Sequence, residues 1–299
     1  MGSLVVYRLD AVPAADLAFA SRRVALDGPI TADAELVVAV PRDEAIVLGA
    51  FQRACDVADR DAPLVRRGSG GAAARVGPGS VWIQLAMKDA RIAPEKILNR
   101  LVRPLLRGMT KAGATARYFG RDWVSVDHRP AALVAFAHDS RSDALVFEAI
   151  VAAKTSFAVG ARASFMGKEP LAVGKTPRAI ADAVAAEYAA LGDPVVPTSG
   201  FRLAPAPDAG VADDPPWTAT HDEAMGPIHA GRDREGTLRL GGELIASHDA
   251  VARLEARIAT LAPDAFGAAV DEAFAAPGVA LFGVRSLESI RDVLVRAAQ

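Results

Sequence analysis

Residues 64–82 read LVRRGSGGAAARVGPGSVW, two adjacent arginines followed by five glycines within nineteen residues. Apolar, β-rich runs flank the stretch, with AIVLGAF (45–51) and APLVRR (62–67) before it and SVWIQLAM (80–87) after it. The local architecture is therefore a strand, a glycine loop and a second strand. Three standard motifs fail here. A P-loop needs a lysine after its second glycine, and no lysine lies between Leu64 and Met87. A dinucleotide fingerprint needs Gly-x-Gly-x-x-Gly running into a helix, whereas this spacing differs and a strand follows. A nucleophile elbow needs glycine two residues before the serine, and Arg67 stands two before Ser69. Two readings stay open. One is a loop whose N–H groups hold an anion, with an arginine at the entrance as a forked donor. The other is a solvated hairpin turn with incidental arginines.

The rest of the chain bounds the choice. It has 299 residues, 51% apolar and 23% charged, which is ordinary for a globular protein. A net charge of −2 gives no reason to expect a nucleic acid or an anionic membrane as partner. No run approaches the roughly 20 apolar residues that span a bilayer, and no signal-peptide pattern opens the sequence. Cys55 is the single cysteine, which excludes an internal disulfide and fits a cytoplasmic protein.

Beyond the loop, APEKILNRLVRPLLRGMTKAG (93–113) reads as a helix, with Ile97, Leu101, Leu105 and Met109 at spacings of four. Pro104 should kink or split it. Residues 114–159 alternate strand-like runs with polar turns, and TPRAIADAVAAEYAALG (176–192) is a second helix. APAPDAGVADDPPW (204–217) holds four prolines and three aspartates and reads as a linker. EGTLRLGGELIAS (235–247) suggests a hairpin around Gly241-Gly242. Helices follow from His248 and from Ser286, the latter a plausible cap. The expectation is an α+β protein: a large domain (1–203), a Pro/Asp-rich linker (204–220) and a small α+β domain (221–299).

The order of these motifs resembles that of the lipoate–protein ligases, a family similar in fold to biotin ligases. That family joins a hydrophobic strand ending in Gly and Phe/Gln to Arg-Arg-x-Ser-Gly-Gly-Gly-Ala. Here the positions are Gly49, Phe51, Gln52, Arg66, Arg67, Ser69, Gly70 and Gly71, with Ala72 for the third glycine. FGRDWVSVDHRPAALVAFA (119–137) is similar to the family's Gly-Arg-Asn-Asp and Lys-x-Ser-Gly strands, and GGELIASHDAVARLEARI (241–258) to its C-terminal accessory domain. The resemblance implies a mixed sheet packed with helices, and a lipoyl or octanoyl group activated with ATP and Mg2+ for transfer to a lysine of a lipoyl or other carrier domain. It implies ligand binding by Gly49, Arg66, Arg67, Gly68, Ser69, Gly70, Gly71 and Arg121, and metal binding by Asp122.

The sequence also departs from that pattern. The lysine position of Lys-x-Ser-Gly falls on Pro130, and the Ser-Gly on Ala132-Leu133. The His-Asp after the glycine loop becomes Val76-Gly77, the metal-holding aspartate falls on Trp123 beside Asp122, and a histidine-glycine becomes Phe147-Glu148. No catalytic residue is assigned, and ordinary ATP-dependent ligation is expected to be impaired or absent. The alternative is a non-catalytic member of the fold that binds a lipoyl-like ligand or a carrier. Arg129, Lys111 and Lys154 are candidate substitutes for the lysine, Arg129 only if Pro130 introduces a bulge. His138 is expected in a turn, and Cys55 as unreactive packing.

Overall fold

The computed structural model describes residues 2–27, 32–57, 60–159, 165, 167–195, 203–207, 211–212 and 214–299. In chain order the first part contains β1 (Ser3–Val12), α1 (Ala14–Asp27), β2 (Ala34–Pro41), β3 (Ala45–Leu48), β4 (Leu64–Arg66), β5 (Ala74–Val76) and β6 (Ser80–Met87). It continues through α2 (Ile97–Lys111), β7 (Arg117–Tyr118), β8 (Trp123–Val126), β9 (Arg129–Asp139), β10 (Ala144–Ala152), α3 (Pro177–Ala189) and β11 (Asp193–Val195). Eight strands form one mixed sheet in the order β11-β1-β2-β6-β10-β9-β8-β7, and β4-β3-β5 form a small second sheet. Side chains alternate across a strand, so period-two sorting assigns the layers. Leu36 and Val38 face a core built with Ile97, Leu101 and Leu105 of α2 and Ile180, Val184 and Tyr188 of α3. Val37, Ala39 and Trp82 face the other way, onto Leu17 of α1 and the small sheet. With both faces covered, β6 is buried along its whole length, which explains its nearly unbroken apolar run.

Pro104 does not split α2. The helix runs from Ile97 to Lys111 with Pro104 buried inside it, because packing of both flanking turns on the sheet outweighs one missing backbone hydrogen bond. Thr176 caps α3 by accepting from the N–H of Ala179, and Tyr188 donates its hydroxyl to Leu101 O at 2.7 Å, tying α3 to α2.

The chain then forms β12 (Ala219–Glu223), β13 (Gly226–Arg232), β14 (Leu238–Gly242), β15 (Ile245–Ala246), α4 (His248–Ile258), α5 (Phe266–Phe274), β16 (Leu281–Phe282) and α6 (Leu287–Ala298). Strands β12-β13-β14 make a three-stranded antiparallel sheet under the helices, with a separate core of Ile228, Leu240, Leu254, Val270 and Val293. Ser286 caps α6 by accepting from the N–H of Glu288. The expected hairpin at Gly241-Gly242 is absent: β14 pairs with β13, whereas β15 pairs with β16. These glycines serve close approach instead. A Cβ on Gly241 would lie 2.3 Å from Phe51 O, and one on Gly242 2.3 Å from Pro227 O. Of the linker expected over 204–220, residues 208–210 and 213 lie outside the described residues, and Ala219 already opens β12. Among the described residues no helix is long and apolar enough to cross a membrane.

Gly108 of α2 sits where a Cβ would meet Val184 Cα of α3 at 2.6 Å. Helix propensity favours Gly108→Ala by about 1 kcal/mol, but the clash is with backbone. We expect a net loss of about 1–3 kcal/mol, measured by urea unfolding.

Candidate functional site

The glycine loop joins β4 to β5 and folds around its own arginines. Arg66 Nη1 donates to Gly49 O at 3.2 Å, Ala50 O at 3.3 Å and also Gln52 O. Arg67 is buried and donates to Ser69 Oγ at 2.9 Å, Ala72 O at 2.8 Å and Gly70 O. Gly49 must be glycine, since a Cβ there would lie 2.1 Å from Gly71 O. The structure thus brings together Gly49 and Arg66 through Gly71.

Every N–H from Arg67 to Gly71 has a protein acceptor. Arg67 donates to Leu48 O at 3.0 Å, Gly70 to Phe136 O at 3.4 Å and Gly71 to Leu244 O at 2.9 Å. Gly68 donates to Ser21 Oγ at 2.8 Å, and Ser69 to Glu148 Oε2 at 3.0 Å. The loop is buried throughout, so the solvated-hairpin reading is overturned. Ser69 itself is fully buried, with its Oγ accepting from Arg67.

Glu148 of β10 is the functional feature that the sequence reading passed over. Its carboxylate is 2% exposed, and besides the Ser69 N–H it accepts from Trp82 Nε1 at 2.9 Å and Gln84 Nε2 at 3.4 Å. Glu148 and Gln84 are register partners in the sheet. A signal did exist: Glu148 is the lone polar residue of ALVFEAIVA, Gln84 is the one polar residue of SVWIQLAM after its first position, and buried polar groups need partners. An internal carboxylate therefore occupies the position where the Ser69 N–H would receive a ligand anion.

The other expected site residues lie elsewhere. Arg121 donates to Ala224 O, and Asp122 is buried where its charge, after burial itself, pushes the Tyr118 hydroxyl up. Among the described residues no three His, Cys, Asp or Glu side chains gather to hold a metal, so Asp122 does not belong to a preformed three-ligand protein site for Mg2+. With the loop N–H groups engaged as well, these residues do not fit ATP and Mg2+ in this conformation. The register of β8 on β9 shifts beside Pro130, as the Arg129 substitution required. Even so, Arg129 turns outward to Glu169 O at 3.0 Å and Pro170 O at 3.2 Å. Lys111 pairs with Glu187, and Lys154 is exposed beside Gly79. From β9, Phe136 O and the methyl of Ala135 approach the loop.

The C-terminal segment from Leu244 onward covers the loop. A Cβ on Gly70 would lie 2.3 Å from Leu244 O, so only glycine admits that backbone. His248 Nε2 donates to Gly68 O at 2.8 Å, its ring 5.0 Å from that of Phe51. His138 is no turn residue: it ends β9, buried, with Nδ1 2.9 Å from Ser247 Oγ and Nε2 3.1 Å from Asp143 Oδ1. The carboxylate must accept from Nε2–H, and Nδ1 shares a hydrogen bond with the Ser247 hydroxyl, which accepts from the N–H of Ala280. Ser140 completes the seam by donating twice to Asp249. Cys55 is exposed rather than packed, in a short turn (Ala54–Asp56), and burial of its thiol followed by the charge of Asp56 pushes its pKa up, away from reactivity.

Two outcomes follow from these contacts. Glu148→Ala orphans the Ser69 and Trp82 donors and should cost about 3–5 kcal/mol in chemical denaturation, against about 1–3 for Glu148→Gln. Burial holds the His248 imidazole below its ordinary 6.5, so the unfolded chain takes up the proton first. Its contribution is complete above that pH and falls as pH drops toward the folded value. Melting temperature should fall between about pH 7.5 and 5.5, and less in His248→Gln.

No family model and no curated protein matches this sequence. Solved structures do match. LipL1 of P. falciparum, in complex with lipoate, is 11% identical and matches over 99% of this chain and 100% of that one, with a TM-score of 0.62. A chain of the Thermoplasma acidophilum lipoylation system, described as a bi-partite lipoate protein ligase and its E2 lipoyl domain, is 15% identical. That match covers 66% of this chain and 87% of the other at a TM-score of 0.53. A lipoate-protein ligase A bound with ATP is 14% identical over 66% of this chain and 89% of its own, also at 0.53. Identities this low carry the fold alone, and the fold is that of the lipoate–protein ligases.

Proposed function

We propose that the protein is a lipoate ligase-like binding protein. In this reading it takes up a lipoyl- or octanoyl-type acyl group, or a carrier domain bearing one, and does not itself activate the acyl group with ATP. The supporting observation is the state of the glycine loop. Its five N–H groups from Arg67 to Gly71 are all engaged, one of them by the carboxylate of Glu148. Formation of an acyl-adenylate gathers negative charge between phosphate and carboxylate, and it needs positive donors aimed there. Losing one such donor typically costs about 10²–10³-fold in rate. Here Ala135 stands near the loop from β9, Pro130 takes the lysine position, and Glu148 adds a negative charge of its own.

The acyl ligand class is argued from the shared fold, since one matched protein was solved with lipoate. The carrier is argued from another, described together with its lipoyl domain. The division into an acyl-ligase-like domain (1–203), linker (204–220) and accessory domain (221–299) belongs to the same reading, as does placement of the protein in the cytoplasm. A second reading, a ligase or acyltransferase that works once the C-terminal domain lifts from the loop, is favoured by the match along nearly the whole chain. ATP and Mg2+ belong to that second reading.

Incubation of the full chain with ATP, Mg2+, lipoate or octanoate and a lipoyl domain separates the two. We expect calorimetric binding of the acyl ligand or acylated domain, with no adenylate and no mass gain on the domain. A domain heavier by one lipoyl or octanoyl group would sink the binding-protein reading.

A further inference from the structure

A cavity with a volume of about 690 Å3 lies outside the glycine loop: Arg66 lines it, whereas Gly68, Ser69, Gly70 and Gly71 do not. Its walls come from α1, β4, the turn after β2 and, of the proline-rich stretch, Pro205, Ala206, Pro207, Val211, Ala212 and Asp214. The N–H of Ala206 donates to Asp16 Oδ1 at 2.8 Å, which fixes that residue over α1.

Three arginines line this cavity in a chain of net charge −2: Arg22, Arg42 and Arg66. Among the described residues Arg22 and Arg42 have no ion-pair partner, and Arg66 reaches only carbonyl oxygens. Burial, and after it the charge of Arg22, lowers the Arg66 pKa, so two like charges act on each other in the wall of one cavity. Two carboxylates also line the cavity. Asp16 is committed to Ala206, while Asp214 acts on Arg66 as a favourable charge. The balance stays positive. Ala18, Phe19 and Val65 supply an apolar wall beside the cations. Arginine pairs of this kind match the oxygens of a carboxylate or phosphate, and such a group between Arg22 and Arg66 would relieve their repulsion.

We propose that this cavity binds an amphipathic anion, with an acyl chain against Phe19 and Val65, a carboxylate or phosphate head between Arg22 and Arg66, and Arg42 as a third cation. The proposal rests on the functional reading above only for the choice of an acyl chain. It gives that ligand a seat that requires neither displacement of Glu148 nor lifting of the C-terminal domain.

Calorimetry on the full chain tests it with octanoate, octyl phosphate and inorganic phosphate as probes. At least one amphiphile should bind, and more tightly than inorganic phosphate. The better of the two identifies the head group. Arg22→Ala should weaken binding about tenfold or more, and binding should fall between about 50 and 500 mM salt. Arg22 is exposed, so its loss leaves the fold intact. Ala15→Trp, which fills the cavity from α1, should abolish binding. If neither amphiphile binds at millimolar concentration, the proposal is overturned. Binding that survives both Arg22→Ala and Ala15→Trp places the ligand elsewhere, which also overturns it while leaving the functional reading intact. Acylation of a lipoyl domain would overturn the functional reading alone, since the cavity is judged by its own binding data.

Discussion

The N–H of Gly71 donates to the carbonyl of Leu244, and how closely those two backbones meet governs everything around the loop. Gly49, Gly70 and Gly71 supply the clearance, since a Cβ at Gly49 or Gly70 would overlap a carbonyl oxygen. With the backbones in contact, His248 reaches Gly68 O, Ser247 reaches His138 and Asp249 meets Ser140. The C-terminal segment is thus fastened to the loop and to the end of β9 by backbone and short side chains. Such a seam depends on small residues on both sides.

Electrostatics inside the seam follow a second rule. Arg67 and Glu148 are buried charges on opposite sides of Ser69: one donates to its Oγ, the other accepts from its N–H. The described partners of the arginine are carbonyl and hydroxyl oxygens, and those of the carboxylate are neutral N–H groups. Hydrogen bonding of this kind helps to satisfy a buried ion. It also uses up the donors that an anion-binding loop would present. A loop with the composition of an anion cradle therefore serves here as a structural joint, and the free guanidinium groups of Arg22 and Arg42 lie outside it, on the cavity against Arg66.

Much of this was legible beforehand because it is local. Spacing of Ile97, Leu101, Leu105 and Met109 located α2, Thr176-Pro177 and Ser286 marked helix starts, and apolar runs marked β3 and β6. What failed was local evidence with a non-local answer. Pro104 reads as a breaker, yet packing carries the helix through it. Gly241-Gly242 reads as a turn, yet it makes room for Phe51 O and Pro227 O. His138 follows an apolar strand and precedes polar residues, so its burial came from Ser247, more than a hundred positions away.

Period and composition were enough to determine the elements, the α+β class and the strand–loop–strand around Ser69, because each depends on neighbours within a few residues. The arginine pair, the glycines and their distance from Gly49 also carried the resemblance in fold. Whether the loop stands open was decided only in three dimensions. Its donors are engaged by Leu48, Phe136, Leu244, Ser21 and Glu148, which come from five separate parts of the chain. A hydrogen-bond donor carries no mark of its acceptor in the sequence, so the same RRGSGG could cradle an anion or join the strands to the C-terminal segment, and packing selects between them.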